Sequence, residues 1–204
     1  MAERLTRELA RAGLTPDAAE PVQEAYRLAM ERRATALSHE KHPAFLHPGR
    51  TVLILLRDAE ERTPRHLAAA AALDTWWDEL EPSEGSLTAR AGDGAALLRA
   101  SVPRPTHPLT EETRDAVTEA LVLAEGAVRR VALAERLDHL RHLHLLGPAD
   151  GVGPERGRTE HHLACTVYLP LAARTHPTLE RRFRHWCRVF GERLEGWNPS
   201  GKAG

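Results

Sequence analysis

Lysine is almost missing from this sequence of 204 residues: Lys41 and Lys202 are the two examples, and every other basic side chain is arginine. That bias is read first as coding preference and second as phosphate recognition, since the planar guanidinium fork suits phosphate oxygens. Aromatic residues amount to only 4%, too few to suggest a stacking platform for single-stranded nucleic acid. An excess of one charge is lacking as well. The formal net charge of -1 argues against a protein that holds nucleic acid by bulk electrostatics. Cys165 and Cys187 are too few for a disulfide framework, and neither sits in a CxxC. The longest apolar run, Leu67 to Leu73, is mostly alanine and far too short to span a bilayer. Met1-Ala2-Glu3-Arg4 lacks the apolar run of a signal peptide. These absences lead to the expectation of a soluble cytoplasmic protein with neither a membrane nor a nucleic-acid partner.

What is present is ordinary globular composition, 42% hydrophobic and 28% charged. The length suits one well-buried core and is short for two. Apolar residues recur at helical spacing throughout. Helices are predicted over residues 17–37, from His47-Pro48 through Leu56, from Thr63-Pro64 to Leu73, and over about 93–102. Further helices run from Thr110 to about Glu125, over 127–146, over 158–174 and over 177–195. Pro48 and Pro64 open two of them, where the missing N–H costs nothing. In the last, Leu179, Phe183, Trp186, Phe190 and Leu194 form a core stripe. Glu81 to Ser86 and Gly147 to Gly157 read as loops. No strand-like alternation and no internal repeat is found. The expected fold is all-α, one helical domain over residues 1–197 with a frayed tail over 198–204.

Three segments concentrate the chemistry: Pro43 to Val52 around His47-Pro48, Leu67 to Thr75 around Leu73-Asp74, and Leu133 to Arg141 around Glu135-Arg136. Their order, spacing and helical setting resemble the HD-domain metal phosphohydrolases, most closely the alarmone (ppGpp) hydrolase domain of the RelA/SpoT proteins. That family reads H-P at the first site, A-A-L-L-H-D-T at the second and L-A-D-R-L-x-N-x-R at the third. Val167 to Arg174 is similar to its I-Y-A-P-L-A-x-R helix, and Gly92 to Leu98 falls at its F-G-x-x-V-A-x-L segment. The likeness covers about residues 33–175. It implies an HD-type helical bundle.

In that family one divalent metal, usually manganese, is held by the first His, the His-Asp pair and the third-motif Asp. Imidazole and carboxylates suit such an ion, and its bound water becomes a nucleophile near neutral pH. The resemblance carries these roles onto His47, Leu73, Asp74 and Glu135. Leu73 cannot ligate, and Glu135 offers the same charge as Asp on a longer arm. The family's water-positioning Glu-Asp pair falls on Trp77 and Asp78, which leaves Asp78 as the catalytic candidate. Arg50, Arg136 and Arg141 are the candidates for binding a phosphate-bearing substrate, a nucleotide above all, with His139 at the family's Asn position. A monofunctional branch of the family likewise carries a degraded HD domain that keeps a structural or regulatory role.

The residues also admit plainer readings. His47 before Pro48 can be a simple helix entry, and Arg136 can pair with a local acid. On the 127–146 helix, Glu135, Asp138, His139 and His142 share one face, opposite Leu133, Leu137 and Leu140. That pattern reads either as a solvated face against a core face or, following the family, as a polar face turned toward a central site; burial of Glu135 decides. His39 or His42 can replace the lost ligand, and His139, His142 and His144 with His161-His162 can form a separate metal site. The leading expectation is a degenerate HD-like domain without metal-dependent hydrolysis, acting as a nucleotide-binding, regulatory or interaction module. The alternative is a divergent, active phosphohydrolase cleaving a substrate such as ppGpp with metal on His47, Asp74 and Glu135.

Overall fold

Helix-forming periodicity is expressed along the whole chain, and all regular structure among the described residues is helical. A computed structural model describes residues 1–36, 45–74, 81–104, 110–145 and 153–197. In chain order these contain α1 (Ala2–Arg11), α2 (Pro16–Ala36), α3 (His47–Asp58), α4 (Pro64–Ala72), α5 (Glu84–Ala91) and α6 (Asp93–Ala100). They continue with α7 (Glu111–Leu123), α8 (Gly126–Leu145), α9 (Pro154–Leu163), a π-helical turn (Ala164–Tyr168), α10 (Leu169–Ala173) and α11 (Pro177–Gly196). No described helix is long and apolar enough to cross a membrane. The chain divides into two compact units, Met1–Asp138 and His139–Gly204. The expected tail over 198–204 lies outside the described residues.

In the first unit α4 is the central element, packed against α2, α3 and α6. Its residues Leu67 to Ala72, and Leu73 after them, are all out of water. Alanine explains this position, because side chains that end at Cβ let three neighbouring helices approach one axis closely. Pro64 stands in the first turn of α4, as predicted. Just before it the Glu61 carboxylate accepts from the backbone N–H groups of Arg62 and Thr63 and from Arg130 of α8. That supplies an acceptor at a helix start that has no side-chain cap of its own.

Two helices exceed the expectation. The first, α1, hides Leu5 and Leu9 against α2 and α3. The second, α5, begins in the segment read as a polar loop, because Ser83 caps it by accepting from the Ser86 N–H. Gly92 then separates α5 from α6 at φ 87° and ψ 158°, a backbone region that side chains with a Cβ rarely enter.

The second unit contains the end of α8 and everything from α9 onward. Helix α9 starts at Pro154, four residues before the predicted 158 and inside the stretch read as a loop. Gly157 fits closely there: a Cβ on it would lie 2.8 Å from the side chains of both Leu194 and Trp197. The π-helical turn precedes Leu169-Pro170. Proline has no N–H and crowds the carbonyl four residues back, and one extra residue in the turn relieves both. The predicted stripe of α11 is buried at Leu179, Phe183, Trp186 and Phe190. Trp186 stacks on Phe190 with ring centroids 4.5 Å apart, and its indole donates to the Leu140 carbonyl at 2.8 Å.

Candidate functional site

The polar groups of the first unit converge on His47, the opening residue of α3. Pro48 fixes the entry into the helix, and the imidazole is buried. Its Nδ1 lies 2.7 Å from Asp138 Oδ2 on α8, and its Nε2 lies 3.7 Å from Glu135 Oε1, one helical turn earlier. Asp138 is held from a second side by Arg50, whose Nε donates to Oδ1 at 2.9 Å and Oδ2 at 3.1 Å. Arg136 brings its guanidinium 3.8 Å from Glu135 Oε2, which agrees with the plainer reading of a local acid pair.

Burial decides between the two readings of α8. Glu135 is 2% exposed, and every residue from Val131 to Leu140 is buried. The polar face is therefore turned inward, and the solvated-face reading is overturned. An amphipathic pattern marks two different faces without saying that one of them is wet.

At the second motif Leu73 ends α4 in extended backbone and is 0% exposed. Asp74 follows it inward. Its carboxylate is paired with Arg33 of α2, and the two side chains are 1% and 3% exposed. A buried carboxylate must have a compensating cation, and here the chain supplies its own. Burial, opposed by Asp74 and reinforced by nearby Arg50, pulls Arg33 below its ordinary range. Burial also works against a charged His47. The hydrogen bond to Asp138 and the fields of Asp138, Asp74 and Glu135 outweigh it, so the imidazole sits above its usual value.

Of the expected metal ligands, His47 and Glu135 come together, and Asp74 lies close enough to act on His47 but is engaged by Arg33. Leu73 has no donor, and among the described residues no group of three His, Cys, Asp or Glu is arranged to hold a metal. The contact of His47 Nδ1 with Asp138 leaves Nε2 as the nitrogen able to ligate. The three carboxylates Asp74, Glu135 and Asp138 are instead faced by Arg33, Arg50, Arg136 and His47. The alternative metal site on His139, His142, His144, His161 and His162 is not assembled among the described residues.

Asp78 and Trp77, like His39 and His42, lie outside the described residues. His139 and Arg141 belong to the second unit. There His139 Nε2 lies 3.8 Å from Glu160 Oε1, both side chains buried. Arg141 lines a groove of about 390 Å³ with His144, Arg182, His185 and Trp186.

Sequence reasoning missed Arg33 and gave Asp138 no role. Arg33 sits in Glu31-Arg32-Arg33, where nothing local separates the buried arginine from its exposed neighbour. Asp138 had a signal, since it lies one turn from Glu135 on the same helix face. No protein-family model matches the chain, and no curated protein matches it.

Proposed function

We propose that this chain is a degenerate HD-like domain, similar to the alarmone hydrolases, that has given up metal-dependent hydrolysis and serves as a nucleotide-binding or regulatory module. The observation that carries this reading is the Arg33–Asp74 ion pair beside buried Leu73. Asp74 corresponds to the Asp of the His-Asp pair, and a guanidinium now occupies its carboxylate. Replacing an exchangeable divalent cation by a side-chain cation preserves charge balance in the interior and removes the Lewis acid that activates water. The helical frame around the site needs that balance, whether or not chemistry takes place there.

The alternative, an active divergent phosphohydrolase, draws support from one atom. Nε2 of His47 is buried without a hydrogen-bond partner, 3.7 Å from Glu135, and imidazole nitrogen and carboxylate are both ligand types.

Metal analysis of protein purified without an affinity tag, with a ppGpp hydrolysis assay in added manganese, separates the two. The proposal expects no stoichiometric metal and no turnover, and calorimetry without metal then reports whether ppGpp binds. Stoichiometric metal accompanied by turnover establishes the alternative.

A further inference from the structure

The chain contains two cysteines, and the fold of the second unit brings them together. Cys165 lies in the π-helical turn and Cys187 on α11, which packs against that turn, and the His161 ring touches both residues. Single π turns within helices concentrate at functional positions, because the extra residue re-aims the side chains it carries.

His161, one turn before Cys165, completes the cluster. Its Nε2 is 2.7 Å from the Cys187 carbonyl oxygen and 3.6 Å from Cys165 Sγ. A carbonyl oxygen only accepts, so Nε2 carries the proton and donates it to Cys187, with the Cys165 sulfur beside the same nitrogen. The ring is held beside Trp186 and Phe190, with centroids 6.2 and 6.4 Å away. Gly191 makes room for it: a Cβ there would stand 3.0 Å from Nε2. The two thiols differ in access. Cys165 is half-buried and Cys187 buried. Burial, with Cys165 adding to it, pushes the Cys187 thiol well above its usual range, so it stays protonated at neutral pH.

We infer that Cys165 and Cys187 form a redox-active dithiol, with Cys165 the thiol that a hydroperoxide oxidises and Cys187 the thiol that resolves it. The Cys165 thiolate attacks one peroxide oxygen, the O–O bond breaks, and the departing oxygen takes up a proton to leave as water or an alcohol. Cys165 becomes a sulfenic acid. Cys187 sulfur then displaces hydroxide from it, the S–S bond forms, and the Cys187 proton leaves with that hydroxide as water. The two thiols give up two electrons and the peroxide accepts both. His161 places a polar ring edge 3.6 Å from the sulfur on which charge gathers. A shared metal is the other use of such a cluster, but among the described residues no group is arranged to hold one.

The test uses the full, reduced chain and a small excess of hydrogen peroxide, with free-thiol titration and non-reducing peptide mapping. Both thiols should disappear together into one intramolecular Cys165–Cys187 peptide that dithiothreitol restores. In Cys187→Ser, Cys165 should accumulate as a sulfenic acid captured by dimedone. In Cys165→Ser, oxidation of Cys187 should slow by at least about tenfold, as expected for a buried, protonated thiol. The inference is overturned if both thiols survive peroxide that consumes free cysteine in a parallel tube. It is equally overturned if Cys187 reacts as fast without Cys165, or if the disulfide forms only between chains. The wild-type mapping needs no variant to fold, and it decides the pairing by itself.

Discussion

Arg33 of α2 and Asp74 after α4, forty-one residues apart, form an ion pair whose two side chains are almost completely excluded from water. A pair of this kind is a weak source of net stability but is costly to break, because removing one partner leaves an uncompensated charge in the interior. Arg33→Met should therefore destabilise the first unit by about 3–5 kcal/mol. The double variant Arg33→Met with Asp74→Leu should recover most of that loss. Urea unfolding of the three proteins reads both effects; a single variant as stable as wild type would show that Asp74 does not depend on Arg33.

The same pair governs any return of metal binding. Leu73→His restores the missing imidazole but leaves Asp74 on Arg33, so titration with manganese should show no added binding. Leu73→His combined with Arg33→Gln removes the guanidinium from Asp74 and should bind one ion measurably. Placing a polar ring at a fully buried leucine should also cost about 2–5 kcal/mol, so thermal melts accompany the titrations. Stoichiometric manganese in Leu73→His alone would show that Arg33 is not the obstacle.

Glu61 ties stability to acid. Burial alone would raise its carboxyl, but the Thr63 N–H, His66 and Arg130 hold it down at about 2, from an ordinary 4.5. A carboxyl depressed by folding contributes its full stability above the unfolded value and loses it as pH falls through the folded one. Stability should thus decline from about pH 4.5 toward pH 2, and Glu61→Gln should be less stable at neutral pH with a flatter decline. Chemical denaturation at pH 7, 4 and 3 measures this, and parallel curves for the two proteins would remove Glu61 from the account.

Gly92 isolates a backbone effect. A Cβ at this position would meet nothing within 4 Å, so Gly92→Ala changes no packing. It forces alanine to φ 87° and ψ 158°, which should cost about 1–3 kcal/mol. Thermal denaturation tests this; an unchanged midpoint would mean that α5 and α6 can rejoin through another conformation.

Much of the helical architecture was legible along the chain. Prolines at first turns marked α3 and α4 correctly, and the α11 stripe lay where its spacing put it. Thr110 caps α7 in the expected place. The errors came from local composition. The polar run ahead of Ser86 read as a loop until Ser83 was seen to cap a helix, and Gly153-Pro154 read as loop where the proline begins α9.

For the candidate site, the sequence by itself determined which polar residues accompany each helix: His47 at a proline-led start, Leu73-Asp74 after the alanine run, Glu135 and Asp138 a turn apart. Helical periodicity is a local property, so a linear chain displays it. Tertiary structure alone decided which cation meets Asp74, that both faces of α8 are buried around Glu135, and that the chain's two cysteines meet at His161. Those outcomes join residues from different helices. They depend on how close the small side chains of α4 and the glycines let those helices come, and no window along the sequence contains that distance.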